Sequence, residues 1–176
     1  MVRLFTGLEI PGDIAEELRG LQGGLPGARW IEPADFHVTL RFVGDIDIAT
    51  ANEIATALGD ILPRTVPVTL DRLSVFGKDK PHALVAGALA SDALVTLQVE
   101  QERLMRRIGV APEARKFFPH VTLARLRGVT ASAVADFIEM HGGLKPMTFE
   151  APRFVLYSSR ASKGGGPYRV EVAYPL

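Results

Sequence analysis

The sequence predicts an α+β protein of two duplicated lobes with pseudo-two-fold symmetry, each an antiparallel sheet with helices on its outer side. The first observation is a repeated tetrapeptide, His-Val-Thr-Leu, at residues 37–40 and again at 120–123. The second is spacing: the two histidines are 83 residues apart, close to half of the 176-residue chain. The third is that each copy opens the same predicted order of strand, helix, strand, strand. We therefore expect the motif strands to meet beside an active-site cleft between the lobes.

Length and composition are those of an ordinary globular protein. No Gly/Ser-rich linker separates the halves, so residues 1–176 are expected to form a single domain whose two lobes contribute one motif each. Lys plus Arg and Asp plus Glu are balanced at 20 each, so no global field would hold a long nucleic acid. There are no cysteines and no long apolar run. We expect a cytoplasmic location and no membrane partner.

The first half of the chain alternates strand and helix signals. A strand is predicted from Val2 to Glu9, followed by a helix that begins at Pro11. The first motif strand runs from His37 to Val43 and stops at Gly-Asp. Thr50, followed three residues later by a glutamate, has the pattern of a capping box and predicts the start of the next helix.

The remaining elements have comparably clear boundaries. The longest helix is capped by Asp92 and ends at Gly109. The other predicted elements are strands 66–76, 82–89 and 120–126, a helix 131–141, and two closing strands at 147–158 and 168–174.

The repeated motif suits acid-base chemistry on a phosphate. Side chains two apart in a strand share a face, so each copy places a histidine beside a threonine, His37 with Thr39 and His120 with Thr122. Facing imidazoles can serve as general acid and general base near neutral pH. Two hydroxyls can donate to phosphate oxygens held between them. No nucleotide-cofactor motif or set of metal ligands accompanies the histidines, so we expect neither a cofactor nor a metal.

The paired motifs and their flanks resemble the 2H phosphoesterase superfamily, in particular its RNA 2′,3′-cyclic phosphodiesterase branch, also called 2′-5′ RNA ligase. The matching segments are Arg3-Leu-Phe, His37 through Gly44, Phe118 through Arg125, and Gly166-Pro-Tyr168. The resemblance implies metal-independent hydrolysis of a terminal 2′,3′-cyclic phosphate to a 2′-phosphate. The family's ligase reaction is the same chemistry reversed, with a 5′-hydroxyl RNA end in place of water.

The resemblance also implies a role for each residue of the motifs. His37 would protonate the departing ribose 3′ oxygen, and His120 would activate the attacking water. Thr39 and Thr122 would hold the phosphate oxygens, and Arg125 would add a positive charge.

Strict strand alternation raises a question about the arginines. Arg125 follows His120 by five residues, so alternation sends it to the opposite face unless the strand ends or bulges there. Arg41 follows His37 by four residues, so alternation places the two side chains on the same face, where Arg41 can share the phosphate-binding role.

Other functions fit the same residues. One is a 2H phosphodiesterase acting on 2′-5′ oligonucleotides or on another small cyclic nucleotide, which would keep both histidines and change the base pocket. Another is a non-catalytic RNA-binding module, which would have no use for an acid and a base together. In each case the partners are RNA ends or cyclic nucleotides, and we expect a monomer with no obligatory protein partner.

Overall fold

A computed structural model describes all residues, 1–176, as nine β-strands and four α-helices. A short 3₁₀ turn, Pro33–Asp35, precedes the first motif strand. The elements in chain order are β1 Val2–Glu9, α1 Gly12–Arg19, β2 Ala28–Trp30, β3 His37–Ile46, α2 Ile48–Leu58, β4 Pro67–Phe76, β5 Ala83–Ala88, α3 Asp92–Ile108, β6 His120–Leu126, α4 Ala131–Met140, β7 Met147–Glu150, β8 Arg153–Ser159 and β9 Arg169–Pro175.

All nine strands belong to one antiparallel sheet. Its order is β7-β4-β5-β6-β3-β1-β8-β9, with β2 pairing beside the end of β6. The two motif strands, β3 and β6, are therefore neighbours at the middle, with three further strands on each side. The predicted α+β class and the meeting of the motif strands at a pseudo-two-fold axis are confirmed.

The two halves of the chain exchange strands between the lobes. Strands β4 and β5 follow the first motif but pair on the side of β6, whereas β8 and β9 follow the second motif and pair on the side of β3. Each lobe thus contains one motif strand together with strands from both halves. This exchange ties the lobes together through the chain itself as well as through the sheet.

The helices cover one face of the sheet. The main hydrophobic core joins α1, α2 and α3 to alternate strand residues, among them Leu8, Val38 and Val121. A smaller cluster joins α4 to the far half of β6. The other face carries Phe5, Tyr157 and the polar motif residues, and we call it the histidine face. No helix is both long and apolar enough to cross a membrane.

Several predicted element boundaries were wrong for local reasons. The N-cap of α3 is Ser91 and not Asp92, and β3 continues past Gly44 to Ile46. Helix α2 begins at Ile48 because Asp47 is its N-cap, accepting a hydrogen bond from the Thr50 backbone N–H at 2.9 Å. The predicted strand 147–158 is two strands, β7 and β8, separated at Ala151-Pro152. β7 pairs with β4 and β8 pairs with β1, so the break carries the chain from one lobe to the other.

Both motif strands contain a β-bulge at the same point. In β3, Thr6 pairs with Arg41 and Gly7 with Thr39, so Leu40 is the extra residue. In β6, Leu84 pairs with Ala124 and Val85 with Thr122, so Leu123 is the extra residue. A bulge adds one residue and reverses the alternation beyond it. The faces predicted from strict alternation are therefore reversed for the residues that follow in β6, and for Arg41 and Phe42 in β3, where Val43 is a second extra residue.

The bulge places Arg41 among the helices and not on the histidine face. Its side chain is 3% exposed and pairs with Glu102 of α3. It also donates to the backbone carbonyl of Ala111 at 2.5 Å and to that of Phe42. The prediction that Arg41 shares the phosphate-binding role is wrong for this physical reason: its guanidinium is already satisfied on the other face of the sheet.

Replacing Arg41 with alanine is expected to lower the free energy of unfolding by about 3 kcal/mol, because it leaves the Glu102 carboxylate largely buried without this partner. Urea unfolding followed by circular dichroism measures the change. Arg107→Ala removes an exposed arginine from the same helix as Glu102 and should stay within about 0.5 kcal/mol of wild type. A loss below about 1 kcal/mol for Arg41→Ala would contradict the structural role.

Candidate active site

The four motif side chains lie together on the histidine face. β3 and β6 pair antiparallel through Val38 and Val121, both fully buried on the helix side. The residues flanking each valine must point the opposite way, because side chains alternate along a strand. His37, Thr39, His120 and Thr122 are accordingly half-buried on a single surface where the two strands meet.

Each imidazole is oriented by a backbone carbonyl two residues earlier. His37 Nδ1 lies 2.8 Å from the carbonyl oxygen of Asp35, and His120 Nδ1 lies 2.6 Å from that of Phe118. A carbonyl can only accept, so Nδ1 carries the proton in both rings. In the neutral form Nε2 is then the basic nitrogen, and in the charged form Nε2–H is the acid. The same local geometry occurs in both halves of the site.

Aromatic rings enclose His37. The rings of Phe5 and Tyr168 each lie 5.0 Å from the imidazole between centroids, and that of Tyr157 lies 5.8 Å away. Gly7 of β1 allows this packing, because a Cβ there would lie 2.8 Å from the Val38 carbonyl oxygen and 3.6 Å from the imidazole Cδ2. A side chain at this position would collide with the Val38 carbonyl and crowd the Tyr157 ring, whose Cε2 atom lies 3.3 Å from the same point.

His120 has a more open environment. Its ring packs edge-on against Phe76 at 4.7 Å, and no other aromatic ring contacts it. Phe76 of β4 is opposite Ala83 of β5, and Tyr157 of β8 is opposite Phe5 of β1. The pseudo-two-fold axis therefore relates Phe76, the neighbour of His120, to Tyr157, a neighbour of His37. Phe118, whose carbonyl orients His120, has a side chain that is 58% exposed. The backbone is therefore equivalent on the two sides of the site, but aromatic rings enclose His37 more fully than His120.

The loop between β8 and β9 packs against the His37 side. The Tyr168 N–H donates to Asp35 Oδ1 at 3.2 Å, and the Ser162 N–H donates to Asp45 Oδ1 at 2.8 Å. Gly166 sits so close to the Asp35 carboxylate that a Cβ would collide with it. Asp35 therefore contacts two residues of the site. Its backbone carbonyl orients His37, and its carboxylate positions Tyr168.

Arg125 lies on the histidine face because of the bulge in β6. Its neighbours Ala124 and Leu126 are buried against α4, so the side chain of Arg125 points the other way. Its positive charge lowers the pKa of both His37 and His120. The position equivalent to Arg125 in β3 is Phe42, the second residue after the bulge.

Sequence reasoning missed several residues that border the site. Arg29 of β2 lies directly opposite Arg125 in the strand register and therefore shares its face. Tyr157 and Phe76 also escape prediction, because nothing near them in sequence marks them as neighbours of a histidine. All three depend on strand pairings between distant segments, for which a single sequence carries no signal.

Burial is the largest influence on both histidines, and it lowers their pKa values below the usual 6.5. The hydrogen bonds to the Asp35 and Phe118 carbonyls act in the opposite direction, and the charge of Arg125 lowers both values further. The proximity of His120 also lowers the pKa of His37, as expected for two imidazoles that share one site.

A cavity of about 400 Å³ opens beside His37. Its wall combines aromatic rings and carboxylates and includes Glu9, Glu16, Asp35, Tyr157 and Tyr168. This volume is in the range of small-molecule sites. No comparable enclosure of aromatic rings surrounds His120.

The side chains offer no set of metal ligands. No group of three or more histidine, cysteine, aspartate or glutamate side chains lies close enough to hold a metal ion. The Asp35 carboxylate, which lies near His37, accepts a hydrogen bond from the Tyr168 N–H. The functional groups that converge are two imidazoles, two hydroxyls and a guanidinium.

A symmetric antiparallel sheet with a His-x-Thr pair from each of its two central strands defines a 2H phosphoesterase fold. The chain belongs to the family described as LigT-like phosphoesterase, whose family model matches residues 8–85 and 89–168. Each matched segment contains one motif, in agreement with the duplication.

Similar proteins are found among curated sequences and solved structures. A protein of Aeropyrum pernix named RNA 2′,3′-cyclic phosphodiesterase is 30% identical over 149 residues, covering 83% of this chain and 84% of its own. A protein of the same name from Aquifex aeolicus is 28% identical, covering 96% and 92%. The crystal structure of E. coli LigT in apo form has a TM-score of 0.77 at 20% identity, covering 99% of this chain and 97% of that one.

Proton NMR titration of the imidazole Cε1–H signals should give midpoints below 6.5 for both His37 and His120, because burial disfavours the charged rings. His37→Asn and His120→Asn variants assign the signals. Between these midpoints and 6.5 the unfolded chain binds more protons than the folded one, so the free energy of unfolding should decrease as pH falls through that window. Midpoints above 6.5 in the ligand-free protein would contradict the described burial.

Proposed function

We propose that this protein hydrolyses the 2′,3′-cyclic phosphate at an RNA 3′ end, leaving a 2′-phosphate and a free 3′-hydroxyl. Membership of a phosphoesterase family supports this proposal, as do relatives named for that activity. The observation that carries it is the pairing of Val38 with Val121, which sets two imidazoles of identical tautomer on one surface. Both motifs lie in one chain, so residues 1–176 act as one domain and a monomer suffices.

In the proposed reaction His120 is the general base and His37 the general acid. His120 Nε2 takes a proton from water as the water oxygen attacks phosphorus. The bond from phosphorus to O3′ breaks, and His37 Nε2–H gives its proton to the departing oxygen. The products are a 2′-phosphate monoester and a 3′-hydroxyl, with His120 charged and His37 neutral. Proton exchange with solvent restores the starting state.

The lowered pKa values fit this role once an anion is bound. Neutral imidazoles predominate near pH 7 in a protein where both pKa values lie below 6.5. A bound phosphodiester brings a negative charge next to both rings and favours the protonated form. The substrate therefore helps to charge the acid that it needs, while the second imidazole remains neutral because two adjacent positive charges repel each other.

The remaining groups stabilise charge on the phosphate. Thr39 and Thr122 lie beside the two histidines and can donate their hydroxyl hydrogens to non-bridging oxygens. Arg125, whose charge acts on both imidazoles, adds electrostatic stabilisation as negative charge develops in the transition state. These groups need no metal ion to neutralise the phosphate.

The unequal enclosure of the two histidines supports a proposed assignment of the two sides of the reaction. The ribose that keeps the phosphate, with its base, fits the aromatic cavity beside His37, the acid for its 3′ oxygen. The attacking group approaches from the open side of His120. That side admits a nucleophile larger than water, so an RNA 5′-hydroxyl can take the place of water: its oxygen bonds to phosphorus as the bond to O3′ breaks, giving a 2′-5′ linkage through the same groups.

The test is a product assay on an RNA oligonucleotide ending in a 2′,3′-cyclic phosphate, in the presence of a chelator. We expect the 2′-phosphate product, identified against synthetic 2′- and 3′-phosphate standards. His37→Ala and His120→Ala should each lower kcat by on the order of 10² or more, because each removes one proton transfer. His141→Ala, at the end of α4, serves as the matched control and should retain turnover.

Three results would contradict the proposal: a 3′-phosphate product, loss of turnover in chelator, or unchanged turnover when either motif histidine is replaced. Circular dichroism on each variant separates a loss of chemistry from a loss of fold. Retained binding of a 2′-phosphate product by the alanine variants would show that the site is intact without its acid or base.

A further inference from the structure

Two unpaired arginines lie side by side at the edge of the active site. Arg29 of β2 is directly opposite Arg125 of β6 in an antiparallel pairing. Their neighbours Trp30 and Ala124 are packed in the cluster beneath α4, so both arginines point to the histidine face. Directly opposite residues on one face have Cβ atoms about 5 Å apart. The backbone thus starts two arginine side chains from neighbouring points on one face, within reach of a common anion.

Neither arginine has a counter-charge within the protein. The structure contains eight ion pairs, and none includes Arg29 or Arg125. Both residues are exposed. Like charges directly opposite each other in a sheet are destabilising. A pair of this kind beside a catalytic site is suited to an anion that bridges the two guanidinium groups.

The location of the pair relates it to the catalytic phosphate. Arg125 acts electrostatically on both histidines, and Arg29 lies on β2, which pairs with β6 beyond the start of β3. Both arginine charges act on the hydroxyl of Tyr168, the ring that packs against His37. The pair therefore begins at the catalytic centre with Arg125 and continues beside Tyr168, on the side assigned to the nucleoside. Arg29 lies at the end of the pair that is farther from the catalytic centre.

We propose that Arg29, together with Arg125, binds a second phosphate of the substrate: the 5′-phosphate of the nucleotide whose ribose carries the cyclic phosphate. This inference rests on the proposed function, which places the terminal phosphate between His37 and His120. The next phosphate along an RNA chain is the one on the 5′ oxygen of the same nucleotide. Such a subsite favours the end of an RNA strand over a nucleoside 2′,3′-cyclic phosphate that lacks a 5′-phosphate.

The test compares two product-like ligands by titration calorimetry: adenosine 2′,5′-bisphosphate and adenosine 2′-phosphate. Wild type is expected to bind the bisphosphate more tightly. Arg29→Gln should raise the Kd of the bisphosphate about tenfold, as expected for one charge-assisted contact to phosphate, and leave the Kd of the 2′-phosphate unchanged. Added salt should weaken the preference of wild type more than that of Arg29→Gln.

Arg107→Gln is the matched control, because it removes one exposed positive charge from α3 on the opposite face of the sheet. It should alter neither Kd. The proposal is overturned if Arg29→Gln weakens both ligands equally, if it weakens neither, or if wild type fails to distinguish them. Absence of binding by either ligand also overturns it.

The binding comparison is independent of turnover. A protein that prefers the bisphosphate through Arg29 but cleaves no cyclic phosphate would retain the subsite and refute the proposed reaction. A protein that cleaves the cyclic phosphate without any preference for a 5′-phosphate would retain the reaction and refute the subsite.

Discussion

The site depends on one antiparallel contact, between Val38 and Val121 at the centre of the sheet. Both valines are fully buried in the main core, so hydrophobic packing holds the register of the two strands. A slip of one residue would turn every side chain of a strand to the opposite face. The apolar residues of the motif therefore fix where the histidines and threonines meet, and the chemistry follows from packing on the helix side.

The repeat made much of this arrangement predictable from sequence alone. The alternation in His-Val-Thr-Leu identifies which residues face the core, and the duplication implies that two such strands meet across a two-fold axis. Most helix and strand positions also follow from capping residues and glycines. The exchange of strands between the lobes is different: it depends on which distant segments pair, and the break at Ala151-Pro152 gives no indication of a change of lobe.

The two bulges could not be predicted from the alternation of residues in the motif strands. Leu40 and Leu123 are ordinary strand residues, and nothing in their sequence neighbourhood indicates that each is the extra residue in its ladder. Yet the bulges decide the roles of the arginines. They send Arg41 into the core beside Glu102, and they return Arg125 to the histidine face. A residue beyond a bulge cannot be assigned to a face until the pairing is known.

The central claim is that Nε2 of His37 and Nε2 of His120 act on one phosphorus atom. The most direct measurement is a crystal structure of the protein with a nucleoside 2′-phosphate bound. We expect both Nε2 atoms within about 3.2 Å of oxygen atoms of the same phosphate group or of the adjacent 3′-hydroxyl. A phosphate bound by a single imidazole, or bound away from both histidines, would contradict the account.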